Sequence, residues 1–474
     1  MGGAWVKRWS PGGEGHSRSL IGALKVHTLG DIDSLSWTLP PSKSHAIRMM
    51  ALVAQSKQTV TLNGMMNAGE DAISMRRCLI QMGVKFDDLD QNGKLLDNMS
   101  NTDLLPHEDS ISWRIHGVGP TGLVPPVSVL HAGNSGTALR ILMALTSHLM
   151  KPIMLDGDAS LRSRPHGSMI NTMKQLGVSC SFGQLEEGLP LLVEGPWAET
   201  ETISVDVASS SQPTTSWLLA SPGANQTVEV RYEGEAVSQR HSSLTLQMCS
   251  KYGAPFGDGM PTHLGPWTPT FENENIDIPA DMSLSSFAFL AAKVLKIPIT
   301  IKEIPSKEDA LGHEVLLEKA ETFGYRIEGN TIHSHGGGTK AVIDLRDCND
   351  LITPIAAMMA LGGGGRITGA VHAAYKESNR ITKTHELLAQ YGLTCTSHDD
   401  GLEIPGGQEL SLPHSIVHTH HDHRLQMTAL ILALGCQGTV IIEGDTLHRV
   451  ADPQAVKRWV NQGASIESFL FQPE

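Results

Sequence analysis

Six polar segments along the chain are each followed directly by an apolar run, and they contain most of the residues that could do chemistry. They are residues 41–48 (PSKSHAIR), 133–140 (GNSGTALR), 209–215 (SSSQPTT), 281–286 (DMSLSS), 347–354 (DCNDLITP) and 420–424 (HHDHR). Ser, Asp, Asn and Thr are preferred at helix N-caps, and a helix N-terminus presents free N–H groups and about half a positive charge to an anion. Helix ends of this kind that face one cleft are predicted to bind a polyanionic ligand.

Basic residues in and near these segments are the candidates to hold anionic groups. Lys43 and Ser44 stand where the first helix is predicted to start, and Arg48 follows Ser44 by one helical turn on the same face. Arg162 and Arg164 precede a proline, which suits a stiff guanidinium clamp for phosphate or carboxylate. Each group can also be interpreted as solvated surface charge, and the residues alone leave that interpretation open.

Two further segments combine charged and titratable side chains. In the KESNR segment, Lys376 and Arg380 are one helical turn apart with Glu377 beside them, which suits either an anion site or a salt-bridged helix surface. Residues 417–424 (VHTHHDHR) alternate His and Asp in a way typical of divalent metal ligands. Because Arg424 ends this segment and would place a fixed cation beside the metal, we expect no metal site.

The composition is that of an acidic globular enzyme. The 474 residues are 40% hydrophobic and 18% charged, which is enough for two or three domains with sizeable cores. The net charge of −14 opposes non-specific binding to nucleic acids, so an anionic ligand needs a local concentration of Arg and Lys. The six cysteines show no CxxC spacing, which indicates neither zinc nor a disulfide framework and favours a reducing cytoplasm. No apolar run reaches the roughly 18 residues of a membrane span. Residues 1–20 lack the apolar region of a signal peptide, and we expect them to be a disordered tail.

A second series of segments indicates that the chain repeats one structural unit. Amphipathic segments end at glycines that suit the left-handed position after a helix, and a short strand-like segment follows each of them. These glycines are Gly83, Gly177, Gly253, Gly324, Gly392 and Gly463. An α/β enzyme can have many capped helices without a repeat, but chance capping gives no reason for two series to alternate at similar spacing. We therefore predict six copies of one α/β unit.

Seven motifs, in order along the chain, resemble those of the enolpyruvyl transferase family. They are LPPSKSHAIR at 39–48, GNSGTALR at 133–140, RPHG at 164–167, SSQ at 210–212, NDLITP at 349–354, KESNRI at 376–381 and DHRLQM at 422–427. The resemblance runs from about residue 39 to 453 and implies two α/β lobes, each of three βαβαββ units, in an inside-out α/β barrel. It implies that residues 21–40 and 281–474 form one lobe, that residues 41–280 form the other, and that the active site lies in the cleft between them.

The resemblance also implies a reaction and its binding residues. The most similar branch of the family transfers the enolpyruvyl group of phosphoenolpyruvate to the 5-hydroxyl group of shikimate 3-phosphate and releases phosphate, in aromatic amino acid biosynthesis. The implied phosphoenolpyruvate site comprises Lys43, Asn134, Gly136, Thr137, Arg164, Arg380 and Arg424. The implied site for the phosphorylated acceptor comprises Ser44, Arg48, Ser210, Ser211, Gln212, Ser238, Asp350 and Lys376.

Three residues are implied to move protons. Asp350 matches the carboxylate that takes the proton from the attacking hydroxyl group, while Glu377 and Lys43 match groups that serve proton transfer at the methylene carbon of phosphoenolpyruvate. His423 and Arg449 are expected just behind these groups. The resemblance implies neither a metal nor an organic cofactor, and we expect a cytoplasmic monomer without nucleic-acid or membrane partners.

The sequence departs from the family pattern near the implied acceptor site. Pro213 follows the SSQ motif, His241 replaces a tyrosine, His372 and Ala374 replace polar and basic residues, and Asn379 replaces an aspartate. The segment HRVADP at 448–453 stands where the family has a lysine, so Arg449 is the candidate cation there. These changes keep open a related transferase that acts on another phosphorylated alcohol, such as a nucleotide.

Three more functions are compatible with parts of the sequence but are less favoured. The branch of the family that acts on UDP-N-acetylglucosamine usually has a cysteine in the loop that corresponds to residues 158–164, and none occurs here. A metal-dependent hydrolase and a non-catalytic anion-binding module are the candidates from different classes of protein. Phosphate release from phosphoenolpyruvate, with and without shikimate 3-phosphate, separates all of these functions.

Overall fold

The computed structural model describes residues 21–97, 104–257 and 259–471, and the predicted N-terminal tail, residues 1–20, lies outside these ranges. The strands are β1 (Ile21–His27), β2 (Leu35–Trp37), β3 (Thr59–Asn63), β4 (Lys85–Leu89), β5 (Ser112–His116), β6 (Leu130–His131), β7 (Ile153–Asp156), β8 (Ser179–Phe182), β9 (Leu191–Glu194), β10 (Thr202–Asp206), β11 (Val228–Glu233), β12 (His263–Leu264), β13 (Asn275–Asp277), β14 (Ile299–Ile301), β15 (Tyr325–Glu328), β16 (Thr331–Ser334), β17 (Ala341–Asp344), β18 (Gly365–Thr368), β19 (Thr396–His398), β20 (Gly401–Ile404), β21 (Thr439–Glu443) and β22 (Ile466–Phe471).

The α-helices alternate with these strands. They are α1 (Lys43–Ala54), α2 (Glu70–Gln81), α3 (Gly136–Thr146), α4 (Ala159–Arg162), α5 (Gly167–Gln175), α6 (Gln212–Ala220), α7 (Gln239–Lys251), α8 (Ser285–Leu295), α9 (Val315–Glu318), α10 (Ile352–Ala360), α11 (Arg380–Gln390), α12 (His423–Gly435) and α13 (Ala455–Val460). Short 3₁₀ turns occur at Ser221–Gly223, Met282–Leu284, Asn349–Leu351, Val371–Tyr375 and Leu447–Val450. No helix among the described residues is long and apolar enough to cross a membrane.

The polar segments begin buried helices, as the sequence predicts. Helices α1, α3, α6, α8, α10 and α12 start within the six segments and consist mainly of buried residues. Ser42, Ser135 and Asp422 cap α1, α3 and α12 by accepting hydrogen bonds from backbone N–H groups, and Asp281 caps the turn that leads into α8. Helices α6 and α10 begin without a side-chain cap.

The amphipathic helices end at the predicted glycines. Helices α2, α5, α7, α9, α11 and α13 precede the six glycines, whose φ angles lie between 71° and 101°. This left-handed backbone is readily adopted by glycine, so five of these residues, all except Gly324, end helices as predicted. One element is shorter than its sequence pattern indicates, because the segment before Gly324 is helical only over Val315–Glu318 and continues as turns.

Five sheets share one strand order, which confirms the internal repeat. In each sheet a parallel pair of strands is extended by an antiparallel strand, and in four of the sheets by a second one. The orders are β13-β3-β5-β4, β6-β7-β9-β8, β2-β14-β16-β15, β17-β18-β20-β19 and the shorter β10-β11-β12. In the sixth sheet, β1 pairs with β21 and β22 and so joins the two ends of the described chain.

The buried apolar side chains form two cores. The first core is formed by residues within 24–39 and 280–464 and includes α8, α10 and α12. The second core is formed by residues within 46–278 and includes α1, α3 and α6. We propose that these cores correspond to two lobes, residues 21–40 with 281–474 and residues 41–280, and this division stays a prediction.

Candidate active site

A cavity of about 390 Å³ is lined by residues from both cores, at the N-terminal ends of the buried helices. Most of the residues that the sequence assigns to a site line it: Lys43, Ser44, Arg48, Gly136, Thr137, Arg164, Ser210, Ser211, Gln212, Ser238, Asp350, Lys376 and Glu377. Asn134, Arg380 and Arg424 lie behind this lining and contact it through polar side chains. The structure thus brings together residues that are more than 300 positions apart in the sequence.

Lys43, at the start of α1, is a protonated ammonium group. Its Nζ lies 2.9 Å from Oδ2 of Asp71, in the first turn of α2. Burial lowers the pKa of Lys43, but the carboxylates of Asp71, Asp350 and Glu377 outweigh burial and raise the pKa above its ordinary value. Sequence reasoning missed Asp71, because an acidic residue in a first helical turn is common for reasons of helix stability alone.

Two buried arginines in the cavity wall have no carboxylate partner among the described residues. Arg48 on α1 donates a hydrogen bond to Oγ1 of Thr245 at 2.8 Å, and Arg140 on α3 donates one to Oε1 of Gln212 at 2.7 Å. Arg48 also donates to Oγ1 of Thr215, and both arginines donate to backbone carbonyl groups. Burial lowers the pKa of each to about 10, so both remain cationic at neutral pH. A buried cation without a paired anion is destabilising, and an anionic ligand in the cavity would offset that penalty.

Arg164 is held at the cavity by Asn134, in the loop before α3. Nη2 of Arg164 donates to Oδ1 of Asn134 at 2.8 Å, and Nδ2 of Asn134 donates to Oδ2 of Asp158 at 2.7 Å. Oε1 of Glu377 lies 3.8 Å from the same Nη2, while the buried Nε has no hydrogen-bond partner. Asn134 therefore orients Arg164 rather than lining the cavity itself.

Gln212 joins the N-terminal ends of α3 and α6. Its Nε2 donates to Oγ1 of Thr137 at 3.1 Å, and its backbone N–H donates to Oγ of Ser210 at 3.1 Å. Because its Oε1 also accepts a hydrogen bond from Arg140, the serine segment and the start of α3 form one connected wall. Ser238 lines the same cavity and has a left-handed φ of 51°.

Arg380, at the start of α11, is the centre of a buried ion-pair network. Its Nη1 lies 2.6 Å from Oδ1 of Asp350, its Nη2 lies 2.6 Å from Oε2 of Glu377, and its Nε lies 2.8 Å from Oδ2 of Asp422. The side chain is 1% exposed. The two carboxylates that the sequence assigns to proton transfer are therefore bound to one guanidinium group, which fixes their relative position.

Arg424, on α12, provides unsatisfied donors behind the cavity. Its Nη2 donates to Oγ of Ser283 at 2.9 Å and lies 3.5 Å from Oδ2 of Asp350. Its Nε and Nη1 are buried and have no hydrogen-bond partner. Because buried, charged donors are destabilising when unpaired, these N–H groups are the ones that an anionic ligand would satisfy.

The neighbouring cations keep Asp350 and Glu377 ionised. Burial raises the pKa of both carboxyl groups, but it is outweighed chiefly by Arg424 at Asp350 and by Arg380 and Arg164 at Glu377. The pKa of each carboxyl group therefore lies well below its ordinary value. Such carboxylates are weak bases until the positive charge around them is neutralised.

Lys376 is a cavity-lining ammonium group with no ion pair among the described residues. Burial is the largest influence on its pKa, which lies below the ordinary lysine value although Asp350 and Glu377 act in the opposite direction. Lys376 thus loses its charge at a lower pH than an ordinary lysine does.

His423 and Arg449 do not line the cavity. His423 is 1% exposed, neither of its ring nitrogens has a hydrogen-bond partner, and burial lowers its pKa to about 3, so it is neutral. Arg449 is exposed in the turn Leu447–Val450, where its charge acts on Glu70 at the start of α2. Arg449, the cation expected in place of the family's lysine, therefore interacts with the start of α2 and not with the cavity.

The histidine-rich segment is divided by the fold. His418 lies 3.5 Å from Glu443 and His420 lies 2.9 Å from Glu386, away from the cavity. In the described ranges, no group of three or more His, Cys, Asp or Glu side chains is arranged to hold a metal ion.

Sequence reasoning also missed Arg140, Asp422 and His313. Arg140 and Asp422 lie inside quoted motifs, but their partners, Gln212 and Arg380, are distant in the sequence. His313 lines the cavity from a segment without any motif. The motifs could have indicated Arg140 and Asp422, whereas only the tertiary fold brings His313 to the cavity.

Comparisons with known proteins agree with this geometry. A family model described as EPSP synthase (3-phosphoshikimate 1-carboxyvinyltransferase) matches residues 34–454. A curated relative named 3-phosphoshikimate 1-carboxyvinyltransferase, from Methanosarcina acetivorans, is 28% identical over 424 residues, which cover 87% of this chain and 91% of the relative. Another of the same name, from Thermococcus kodakarensis, is 31% identical over 340 residues, which cover 70% of this chain and 81% of the relative.

Solved structures share the fold. An EPSP synthase from Acinetobacter baumannii is 22% identical with a TM-score of 0.70, over 94% of this chain and 100% of that one. The enolpyruvyl transferase NikO from Streptomyces tendae is 14% identical with a TM-score of 0.70, over 96% of this chain and 100% of that one. These similarities confirm the enolpyruvyl transferase fold that the sequence motifs imply.

Proposed function

The chain belongs to the EPSP synthase family, and we propose that it transfers the enolpyruvyl group of phosphoenolpyruvate to the 5-hydroxyl group of shikimate 3-phosphate and releases phosphate. The observation that carries this proposal is a cavity where Arg48 and Arg140 have no carboxylate partner among the described residues and Arg424, behind the lining, keeps two unpaired donors, beside two ionised carboxylates, Asp350 and Glu377. Two anionic substrates would satisfy the cationic groups that lack partners, and the carboxylates would carry protons.

The acceptor is assigned to the wall that contains Arg48 and the serine segment. Its phosphate would contact Ser44, Arg48, Ser210, Ser211 and Ser238, with Gln212 and Lys376 nearer its ring. Arg48 supports this assignment, because its buried guanidinium group has no carboxylate partner among the described residues. Hydroxyl groups at helix starts complete a site for a compact dianion.

Phosphoenolpyruvate is assigned to the adjoining wall. Its phosphate and carboxylate would contact Lys43, Arg164, Arg380 and Arg424 and the backbone of residues 134–137. The buried, unpaired Nε of Arg164 and the Nε and Nη1 of Arg424 support this assignment. Gly136 lines the cavity here and allows the backbone to approach the ligand closely.

The reaction requires two proton transfers at carbon and one at oxygen. Asp350 takes the proton of the 5-hydroxyl group as its oxygen bonds to C2 of phosphoenolpyruvate, while the ammonium group of Lys43 donates a proton to C3. Glu377 then removes a proton from C3 of the tetrahedral intermediate as the C2–O bond to phosphate breaks, which restores the vinyl group. The charge states of these three groups suit their roles, because Lys43 is protonated and both carboxyl groups are ionised.

Steady-state phosphate release tests this proposal. Purified protein should release phosphate only when phosphoenolpyruvate and shikimate 3-phosphate are both present, and it should keep full activity in excess chelator. Activity with a nucleoside monophosphate in place of shikimate 3-phosphate would instead identify a transferase for another acceptor. Activity that is lost in chelator and restored by zinc or manganese would contradict the proposed chemistry.

The same proposal includes a cytoplasmic monomer. The lining of the cavity comes from one chain, so a second copy is not needed to complete it. The six cysteines are free thiols in this structure, which suits a reducing compartment. Gel filtration with light scattering should give a mass near 51.0 kDa, and a mass twice as large would contradict the monomer.

A further inference from the structure

Helix α7 begins beside the cavity without a cap of its own. Ser238, which precedes it, has a φ of 51° and its side chain does not accept a hydrogen bond from the helix. The first turn contains no acidic residue. The first N–H groups of a helix lack intrahelical partners, and a non-glycine residue keeps a left-handed backbone only where its surroundings hold it.

The missing cap is supplied by the segment that follows β17 in the first core. The backbone N–H of Gln239 donates to Oδ1 of Asp347 at 2.7 Å, and the backbone N–H of Ser238 donates to the carbonyl oxygen of Arg346 at 3.3 Å. Leu345 and Cys348 anchor this segment in the first core, whereas Cys249 anchors α7 in the second. The start of α7 is therefore stabilised by a contact that joins the two cores.

We propose that Asp347 is a positioning residue, which holds Ser238 towards the cavity by capping α7 from the first core. This inference rests on the proposed function, because it takes Ser238 as a contact of the acceptor's phosphate. Asp347 thus maintains the backbone conformation in which Ser238 lines the cavity.

The negative charge of Asp347 and its cap have opposite effects on acceptor affinity, so the direction of the change in a variant shows which of them dominates. Asp347 itself lines the cavity, so its carboxylate repels an anionic acceptor. If charge were its only influence, its removal would tighten acceptor binding. If the cap dominates, replacing Asp347 with alanine weakens binding, while asparagine retains the Oδ1 acceptor and removes the repulsion.

An exposed ion pair nearby provides the matched control. Arg346 lies 3.2 Å from Glu235, so this pair also joins the two segments, but the Glu235 side chain is 86% exposed. Exposed ion pairs contribute little to stability. Glu235→Gln removes this charge contact between the cores and leaves the cap intact.

The experiment compares Asp347→Ala, Asp347→Asn and Glu235→Gln with the unmodified protein. Calorimetry measures the dissociation constant of shikimate 3-phosphate without phosphoenolpyruvate, and hydrogen–deuterium exchange follows the amides of residues 239–242 without any ligand. Asp347→Ala should raise the dissociation constant about five- to tenfold and accelerate exchange, as expected for loss of an N-cap. Asp347→Asn should bind at least as tightly as the unmodified protein, and Glu235→Gln should change neither measurement.

The outcomes separate this inference from the proposed function. Unmodified protein that does not bind shikimate 3-phosphate would refute the proposed function and, with it, the positioning role of Asp347. Binding with unchanged exchange in Asp347→Ala would show that the cap is not formed. Faster exchange with unchanged or tighter acceptor binding in Asp347→Ala would show that the cap does not position Ser238.

Discussion

A single added methyl group at Gly136 tests the assignment of the phosphoenolpyruvate site. Gly136 is the first residue of α3, and its φ lies outside the left-handed region, so alanine fits the backbone. A Cβ there would lie 2.8 Å from Nη1 of Arg140 and 3.1 Å from Nη1 of Arg164. The first distance requires a shift, and the second lies within the range where a neighbour must yield by a few tenths of an ångström.

The two arginines differ in how freely they can move. Arg140 is anchored by hydrogen bonds to Gln212 at 2.7 Å and to the carbonyl oxygen of Pro165 at 2.9 Å, so its guanidinium group cannot turn away without breaking them. Arg164, assigned to phosphoenolpyruvate, has an unpaired Nε and gives way more easily. Weakening one charge-assisted hydrogen bond by about 1.4 kcal/mol corresponds to a tenfold change in affinity.

The expected result for Gly136→Ala is a KM for phosphoenolpyruvate raised roughly tenfold, with a much smaller change for the acceptor. Stability should be unchanged or slightly lower, because the clash with the anchored Arg140 offsets the roughly 0.5–1 kcal/mol by which alanine is favoured over glycine in a helix. Gly337→Ala is the control, because a Cβ at that position meets no atom within 4 Å. The KM values for both substrates and the melting temperature are measured for each variant and for the unmodified protein. An unchanged KM for phosphoenolpyruvate with a lower melting temperature would mean that Gly136 serves only the start of the helix.

Three further changes test separate parts of the molecule. Asp350→Asn or Glu377→Gln should lower kcat on the order of 10²- to 10⁴-fold with much smaller changes in substrate dissociation constants, and near-normal kcat in either variant would refute its proton-transfer role. Burial lowers the pKa of Lys376, so the KM of the acceptor should rise as the pH increases, starting below the ordinary lysine value of 10.5. Lys376→Arg should move the start of this rise to higher pH, and an identical profile would contradict the assignment. Arg76 and Asp88 form a buried pair with contacts of 2.6 and 2.8 Å, so Asp88→Ala should reduce the free energy of unfolding by about 3–5 kcal/mol in a denaturant titration, and a loss below about 1 kcal/mol would show that the pair is dispensable.

The local elements could be predicted from the sequence because their signals are local. Ser42, Ser135 and Asp422 mark the starts of buried helices, and glycines such as Gly83 mark the ends of amphipathic ones. Their alternation predicted the repeat, and the repeat is visible in the strand order of five sheets. Helix α9 is shorter than its sequence pattern predicts, because a short amphipathic segment forms a helix only as far as tertiary packing supports it.

The connections within the site could not be predicted, because they join residues that are close only in the folded chain. The motifs name Asp350, Glu377 and Arg380 as separate groups, but nothing in their spacing shows that one guanidinium group binds both carboxylates and Asp422. Likewise, Asp347 is an ordinary acidic residue in the sequence and becomes the cap of α7 only through the fold. The residue types were therefore predictable, whereas their partners and charge states were not.

These charge states suggest how substrate binding prepares the catalytic base. As the cavity stands, the cations led by Arg424 hold the pKa of Asp350 well below its ordinary value, so this carboxylate has little affinity for a proton. An anion bound by the free Nε and Nη1 of Arg424 would offset that positive charge and raise the pKa of Asp350. Phosphoenolpyruvate would then strengthen the base that activates the other substrate. Arg424→Gln should therefore weaken phosphoenolpyruvate binding and also move the acidic limb of the kcat–pH profile to higher pH, because the cation that most lowers the pKa of Asp350 is gone. A change in KM alone would separate the two roles.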